Sequence, residues 1–93
     1  MNLADFTKTL AESAPPSSFT PCLAALWYDA KGDWHTAHQQ VDGLEGKEPA
    51  WVHAYLHRKE GDLGNAGYWY RRAGKEPTEF SLSEEWQELV EAL

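Results

Sequence analysis

"WVHAYLHRKEGDLGNAGYWYRRAGKEP" (residues 51–77) contains two helical patterns of bulky side chains, and one Gly-Asp pair separates them. Gly61 can adopt the positive φ that ends a helix, and Asp62 is a residue type that caps the start of the next helix. Gly74 then ends the second pattern in the same way. The stretch therefore predicts two helices joined by a tight turn.

A related pattern lies 29 residues earlier in the chain, where Gly32 and Asp33 precede another run of helical spacing. In both units an alanine and then an apolar side chain follow the aspartate at intervals of about one helical turn. The aligned pairs are Gly32 and Gly61, Asp33 and Asp62, Ala37 and Ala66, and Val41 and Tyr70. The sequence thus predicts two similar helix–turn–helix units.

The flanking segments predict two further helices. Leu3, Phe6 and Leu10 have the spacing of a short amphipathic helix, while Ser81 and Glu84 have that of a capping box. We therefore predict an all-α single domain of six helices without strands. Its parts are an N-terminal helix (1–14), a linker (15–20), two helical hairpins (21–77) and a C-terminal capping helix (78–93).

Local patterns carry expectations for a few single residues. Pro49 is expected to open a helix, because the first turn tolerates proline. Glu84 and Glu85 are expected on the outer side of the C-terminal helix as solubilising charge. Cys22 precedes an apolar run and is expected to be a buried thiol.

Composition and charge exclude several classes of protein. The chain has 93 residues, 42% of them hydrophobic, which is too apolar for a disordered chain and enough for one core. The net charge of −7 argues against nucleic acid as a partner, and no apolar run is long enough to cross a membrane. A single cysteine excludes an internal disulfide, and the N-terminus lacks a signal-peptide pattern, so we predict a cytoplasmic protein.

The positive charge is concentrated in residues 49–76, which carry five cations against three acids. One interpretation is that these cations offset helix dipoles and face the acidic C-terminal segment. The alternative is that Arg58, with His57 and Tyr55, binds a carboxylate or phosphate group. The sequence favours the structural interpretation without excluding the anionic ligand.

Residues 21–77 resemble the tetratricopeptide repeat. The first unit matches that family's spacing at Tyr28, Gly32, Trp34, Ala37, Val41, Leu44 and Pro49, and the second at Gly61, Leu63, Ala66, Tyr70 and Ala73. The repeat length of 29 differs from the family's 34, and Pro77 comes one place early. The stretch "HAYLHRKEGD…NAGYWYRRAG" also resembles small uncharacterised bacterial proteins, a resemblance that brings no function with it.

The tetratricopeptide resemblance implies a noncatalytic interaction module that binds a protein or peptide partner in a concave groove. It would place Trp51, Tyr55, Arg58 and Lys59 on that groove. With only two hairpins, the flanking helices could instead fill the groove, which would make Trp51 and Tyr55 part of the core.

Four histidines form the other candidate site, for zinc or nickel. His53 and His57 are spaced i, i+4, and His35 and His38 are spaced i, i+3 on the preceding helix, so that four nitrogens could converge. A zinc-protease motif is excluded, because Ala54 stands where its glutamate would be, and there is no C-x-x-C. We therefore expect no cofactor. A helical wheel places His53 and His57 in solvent, whereas the tetratricopeptide register packs them, and both alternatives stay open.

Overall fold

A computed structural model describes residues 1–93 of the chain. It contains six α-helices and no β-strand. In chain order the helices are α1 (Leu3–Thr9), α2 (Pro21–Ala30), α3 (Trp34–Val41), α4 (Lys47–Glu60), α5 (Leu63–Ala73) and α6 (Leu82–Ala92). This arrangement confirms the predicted all-α class in a single domain.

Both Gly-Asp pairs lie at tight turns, between α2 and α3 and between α4 and α5. The Asp33 side chain accepts a hydrogen bond from the backbone N–H of Thr36 at 3.0 Å, and Asp62 accepts one from Asn65 at 3.2 Å. Gly61 has a φ of +89°, a backbone conformation that residues with a Cβ atom rarely adopt. These bonds satisfy N–H groups at the start of α3 and α5 that have no partner within the helix. Because each turn is tight and its two helices pack on each other, α2–α3 and α4–α5 form two helical hairpins.

Helix α4 lies at the centre of the fold. Its residues from 50 to 57 are all buried, and it packs against α2, α3, α5 and α6. A helix is buried on every side only when other elements surround it. Helix α4 therefore presents side chains to both hairpins and to the C-terminal helix at once.

The terminal helices α1 and α6 close the core together. Phe6 of α1 is fully buried, with its ring stacked on Phe19 at 5.3 Å and in edge contact with Trp86 of α6 at 5.5 Å. The Trp86 indole Nε1–H also donates to the carbonyl oxygen of Leu26 at 3.2 Å. Helix α6 therefore connects α1 to the first hairpin.

Several local expectations differ from the structure. Helix α1 ends at Thr9, well before the predicted linker. Helix α4 begins at Lys47, because Gly46 with a φ of +116° starts it, and Pro49 then falls within its first turn, where a missing N–H is tolerated. The prediction that Glu85 lies on the outer side of α6 is wrong, since this side chain is only 1% exposed.

None of the six helices combines the length and the apolar character that a membrane span requires.

Candidate metal centre

Three of the four predicted histidines meet between α3 and α4. One ring nitrogen from each of His38, His53 and His57 lies within 4.8 Å of the other two. The i, i+4 spacing on α4 places the His53 and His57 rings nearly parallel, with centroids 6.0 Å apart. The His38 ring of α3 stands across both of them, at 4.9 Å and 5.2 Å. These three residues are called the histidine cluster below.

The fourth predicted ligand, His35, lies outside the histidine cluster. Its side chain is exposed, and its Nε2 lies 3.2 Å from the amide nitrogen of Gln39 on the same helix. His53 and His57 are both buried. The helical-wheel estimate that placed them in solvent is therefore wrong, and the packed alternative is the one observed.

His53 holds one ring nitrogen ready for a ligand. Its Nε2 lies 3.1 Å from the carbonyl oxygen of Val41, and a carbonyl only accepts, so we assign the ring proton to Nε2. The lone pair is then on Nδ1, which is buried and has no hydrogen-bond partner. A buried polar atom without a partner costs about 1–3 kcal/mol, so such an atom calls for an explanation.

His57 is held in the opposite tautomer. Its Nδ1 lies 2.9 Å from a carboxylate oxygen of Glu60, which only accepts when ionised, so Nδ1 carries the proton. In the neutral ring the lone pair is then on Nε2. Hydrogen bonds of this kind from the second ring nitrogen orient most histidines that bind metals. The backbone at Val41 and the side chain of Glu60 thus prepare one donor nitrogen on each ring of α4.

Burial favours the neutral form of two of the three imidazoles, His38 and His53. Burial lowers the pKa of His38 below its usual value, and the neighbouring His57 lowers it further. Burial likewise lowers the pKa of His53, although the hydrogen bond to Val41 partly opposes the shift. Because only a neutral imidazole has a lone pair to give, burial favours the form of His38 and His53 that can bind a metal ion.

Two tryptophans fix the orientation of the rings. Trp34 stacks on His38 at 5.1 Å with an interplanar angle of 13°, and its own Nε1–H donates to the carbonyl oxygen of Leu56 at 2.7 Å. Trp69 of α5 stacks on His53 at 4.1 Å and 11°. Trp69, Glu60 and the Val41 carbonyl had not been predicted as part of a site. The i, i+3 spacing of His57 and Glu60 was the one local signal that could have revealed the acid.

The residues predicted to face a groove make contacts within the chain instead. Trp51 and Tyr55 are buried. The indole of Trp51 donates to Glu85 at 3.2 Å, and the hydroxyl of Tyr55 donates to Asp29 at 2.7 Å. In a second set of contacts, Arg58 donates to Glu85 at 3.0 Å and to the Phe80 carbonyl, and Lys59 donates to Asp29 at 2.8 Å.

These four side chains and the histidine cluster therefore do not form one site. His57 bonds to Glu60, whereas Arg58 bonds to Glu85 on α6. The buried acids Asp29 and Glu85 take up the donors that a carboxylate or phosphate ligand would need. Glu85 belongs to the acidic C-terminal segment that was expected to face these cations, whereas the pairing with Asp29 had not been predicted. This pairing favours the structural interpretation of Arg58 over binding of an anion.

Three imidazole ligands suit a borderline transition-metal ion. Zn²⁺, Ni²⁺ and Cu²⁺ accept imidazole ligands, whereas Mg²⁺ and Ca²⁺ require oxygen. A tetrahedral site with Zn–N bonds of about 2.0–2.1 Å would draw the nitrogens to roughly 3.4 Å from each other. The nitrogens now lie within 4.8 Å of one another, so binding would bring them closer by up to about 1.4 Å. With three protein ligands, one coordination position of Zn²⁺ would be left for water.

No surface cleft opens onto the histidine cluster. The four clefts of this protein, of about 280 to 380 Å³, are lined by other residues. Two of the residues predicted to face a groove, Tyr55 and Lys59, line one of these clefts together with Asp29 and Trp86.

Comparison with known proteins finds no family model, no curated protein and no solved structure that matches this chain.

Proposed function

We propose that this protein is a noncatalytic helical domain that binds one divalent transition-metal ion, Zn²⁺ above all, through His38, His53 and His57. The observation that carries the proposal is the Nδ1 of His53, which is buried without a hydrogen-bond partner. Each of the other two rings has a nitrogen within 4.8 Å of a nitrogen on His53. A metal ion bound there would satisfy the unpartnered atom and use all three rings.

The proposal departs from the expectation of no cofactor, and the reason is convergence. Spacing along a helix shows only that two histidines can share a side, and most such pairs are not ligands. Here a third imidazole comes from another helix, and both rings of α4 have their second nitrogen bound to an acceptor. That combination is typical of a metal site with its supporting hydrogen bonds.

A structural role for the ion fits the position of the histidine cluster. Helix α3 belongs to the first hairpin and α4 to the second, so an ion held by both would connect the hairpins. Metal that binds only the folded chain stabilises it by about 2.7 kcal/mol at a free concentration of 100 times Kd. No cleft leads to the histidine cluster, and this supports a role without bound substrate.

The test is a Zn²⁺ titration of the untagged, metal-free protein against a chromophoric chelator, with thermal unfolding measured in parallel. We expect one Zn²⁺ per chain and a higher Tm that a chelator reverses. His53→Ala and His57→Ala should each weaken binding by more than about 100-fold, because a lost ligand costs more than a lost supporting contact.

The matched control is His35→Ala, which removes an exposed imidazole on α3 outside the histidine cluster. We expect it to bind Zn²⁺ like the wild type. Absence of binding by the wild type, or equal affinity in His53→Ala, would contradict the proposal. Loss of binding in His35→Ala would move the site to another set of ligands.

Partner binding is the second candidate function, and the outer face of α5 favours it. Tyr68 is 44% exposed on this face, and Leu63, the first residue of the helix, is 70% exposed on the side of the cleft that Tyr70 lines. Arg71 and Arg72 are exposed on the same helix, where Arg72 donates to the Tyr68 hydroxyl at 3.0 Å, and neither arginine forms an ion pair within the chain. An acidic peptide segment with apolar side chains would complement this face. The resemblance to tetratricopeptide repeats remains a prediction, and this face lies outside the groove that it implied.

Fluorescence anisotropy of a labelled Glu/Leu helical peptide would test the second function, with a Lys/Leu peptide as its control. We expect salt-sensitive binding of the acidic peptide alone, weakened in a variant with Arg71→Gln and Arg72→Gln, because those two charges would be its contacts. Equal binding of both peptides, or of neither, would contradict a specific role for this face.

A further inference from the structure

Glu60 lies at a position where the dipole of its helix disfavours a negative charge. It is the last residue of α4, where the partial negative charge of the helix dipole disfavours an acid and favours cations. The three residues before it, His57, Arg58 and Lys59, follow that preference. Local rules of this kind are most often broken where a side chain has a functional contact.

The contact that Glu60 makes is with a proposed metal ligand. Its carboxylate lies 2.9 Å from Nδ1 of His57, while its own side chain remains 41% exposed. Contacts made by an exposed charged side chain contribute little to stability, so folding gives a weak reason for this acid. Its effect on the His57 ring gives a stronger one.

Resting on the proposed metal binding, we infer that Glu60 is a positioning residue that makes His57 a metal donor. By accepting the Nδ1–H, the carboxylate holds the ring in the tautomer whose lone pair is on Nε2. It also fixes the ring plane, and its negative charge strengthens the donor nitrogen. Without it, His57 could place its proton on either nitrogen.

The two histidines of α4 differ in what holds them. His53 bonds to a backbone carbonyl, at Val41, which no side-chain substitution removes. His57 bonds to the side chain of Glu60, which a substitution can change in charge and in geometry separately. Glutamine keeps an oxygen that accepts a hydrogen bond but has no charge, whereas alanine removes both.

The experiment compares the wild type, Glu60→Gln, Glu60→Ala and the control Glu45→Gln. Glu45 is an exposed acid in the segment before α4 and lines a cleft that contains none of the three histidines, so its substitution removes a like charge outside the histidine cluster. Long-range ¹H–¹⁵N correlation spectra of the metal-free proteins identify the His57 tautomer, and competition titrations give the Zn²⁺ affinity.

We expect the wild type and the control to show the Nδ1–H tautomer of His57, and Glu60→Ala to show a mixture. Zn²⁺ affinity should fall by about 10–100-fold in Glu60→Ala, with Glu60→Gln in between and the control unchanged. Tm without metal should be similar in all four, because the acid is exposed.

Two results would overturn the role of Glu60 and leave the proposed metal binding intact. One is an Nε2–H tautomer of His57 in the metal-free wild type. The other is a Zn²⁺ affinity of Glu60→Ala within about threefold of the wild-type value. A wild type that does not bind Zn²⁺ would instead overturn the proposed function, and the role of Glu60 in affinity with it.

Discussion

Replacement of Glu85 by alanine is expected to lower the free energy of unfolding by about 3–5 kcal/mol, as removal of one partner from a buried ion pair usually does. For a small domain whose total stability is on the order of 5–15 kcal/mol, this loss would be a large fraction. The loss should exceed that caused by removal of any exposed charged side chain of α6.

The reason is that three buried or half-buried donors depend on this one carboxylate. The Tyr70 hydroxyl lies 2.6 Å and 2.8 Å from its two oxygens. Arg58 donates to one oxygen at 3.0 Å, and Trp51 donates to the other at 3.2 Å. Burial and the adjacent Glu85 also raise the pKa of Tyr70, so the hydroxyl stays protonated and able to donate. Without Glu85, donors from α4 and α5 would remain desolvated and unpaired.

Urea denaturation followed by circular dichroism measures the loss, with Glu88→Ala as the matched control. Glu88 is an exposed acid on the same helix, so its removal should change stability by less than about 0.5 kcal/mol. Glu85→Gln should fall between the two, because the amide keeps one acceptor oxygen. A loss below about 1 kcal/mol in Glu85→Ala would show that water replaces the carboxylate.

Caps and turns could be predicted from the sequence because their partners are close along the chain. Asp33, Asp62 and Ser81 each accept a hydrogen bond from the residue three positions later. The capping box of Ser81 and Glu84 is fully formed. Interactions of this length leave a local pattern, and that pattern was enough to predict an all-α class.

Burial on α4 and α6 could not be predicted in the same way. A helical wheel assumes one apolar face, but α4 is buried on all sides, so His53 and His57 pack although they lie opposite Trp51. Glu85 looked like its exposed neighbour Glu84. Its partners are 15 to 34 residues distant in the chain, and no local pattern reports them.

The candidate site was predictable in its ligands and not in its support. Helical spacing identified His38, His53 and His57, but it predicted His35 as a ligand in the same way. Which histidine of α3 points inward depends on how that helix is rotated, and packing of Trp34 on His38 and of Val41 in the core sets this rotation. Contacts between helices decide which histidine of α3 points inward, and the spacing of residues along the chain does not show those contacts.

The second large effect is expected at Trp86, where substitution by alanine should cost about 3 kcal/mol of unfolding free energy. This value is at the lower end for a large aromatic side chain, because Trp86 is half-buried. Its ring contacts Phe6 of α1, and its Nε1–H bonds to the Leu26 carbonyl of α2. The alanine variant would lose the contacts by which α6 holds both helices.

Trp86→Phe separates the ring from its hydrogen bond, because phenylalanine keeps an aromatic contact with Phe6 and has no donor. This substitution should lower the free energy of unfolding by the loss of buried area and by about 1 kcal/mol more, the usual net value of one hydrogen bond. Chemical denaturation of both variants would give the two contributions. If Trp86→Ala costs less than about 1 kcal/mol, α6 is anchored by Glu85, Leu89 and Val90 alone. The exposed half of Trp86 would then be available to a partner, and the closed arrangement of α1 and α6 would not depend on it.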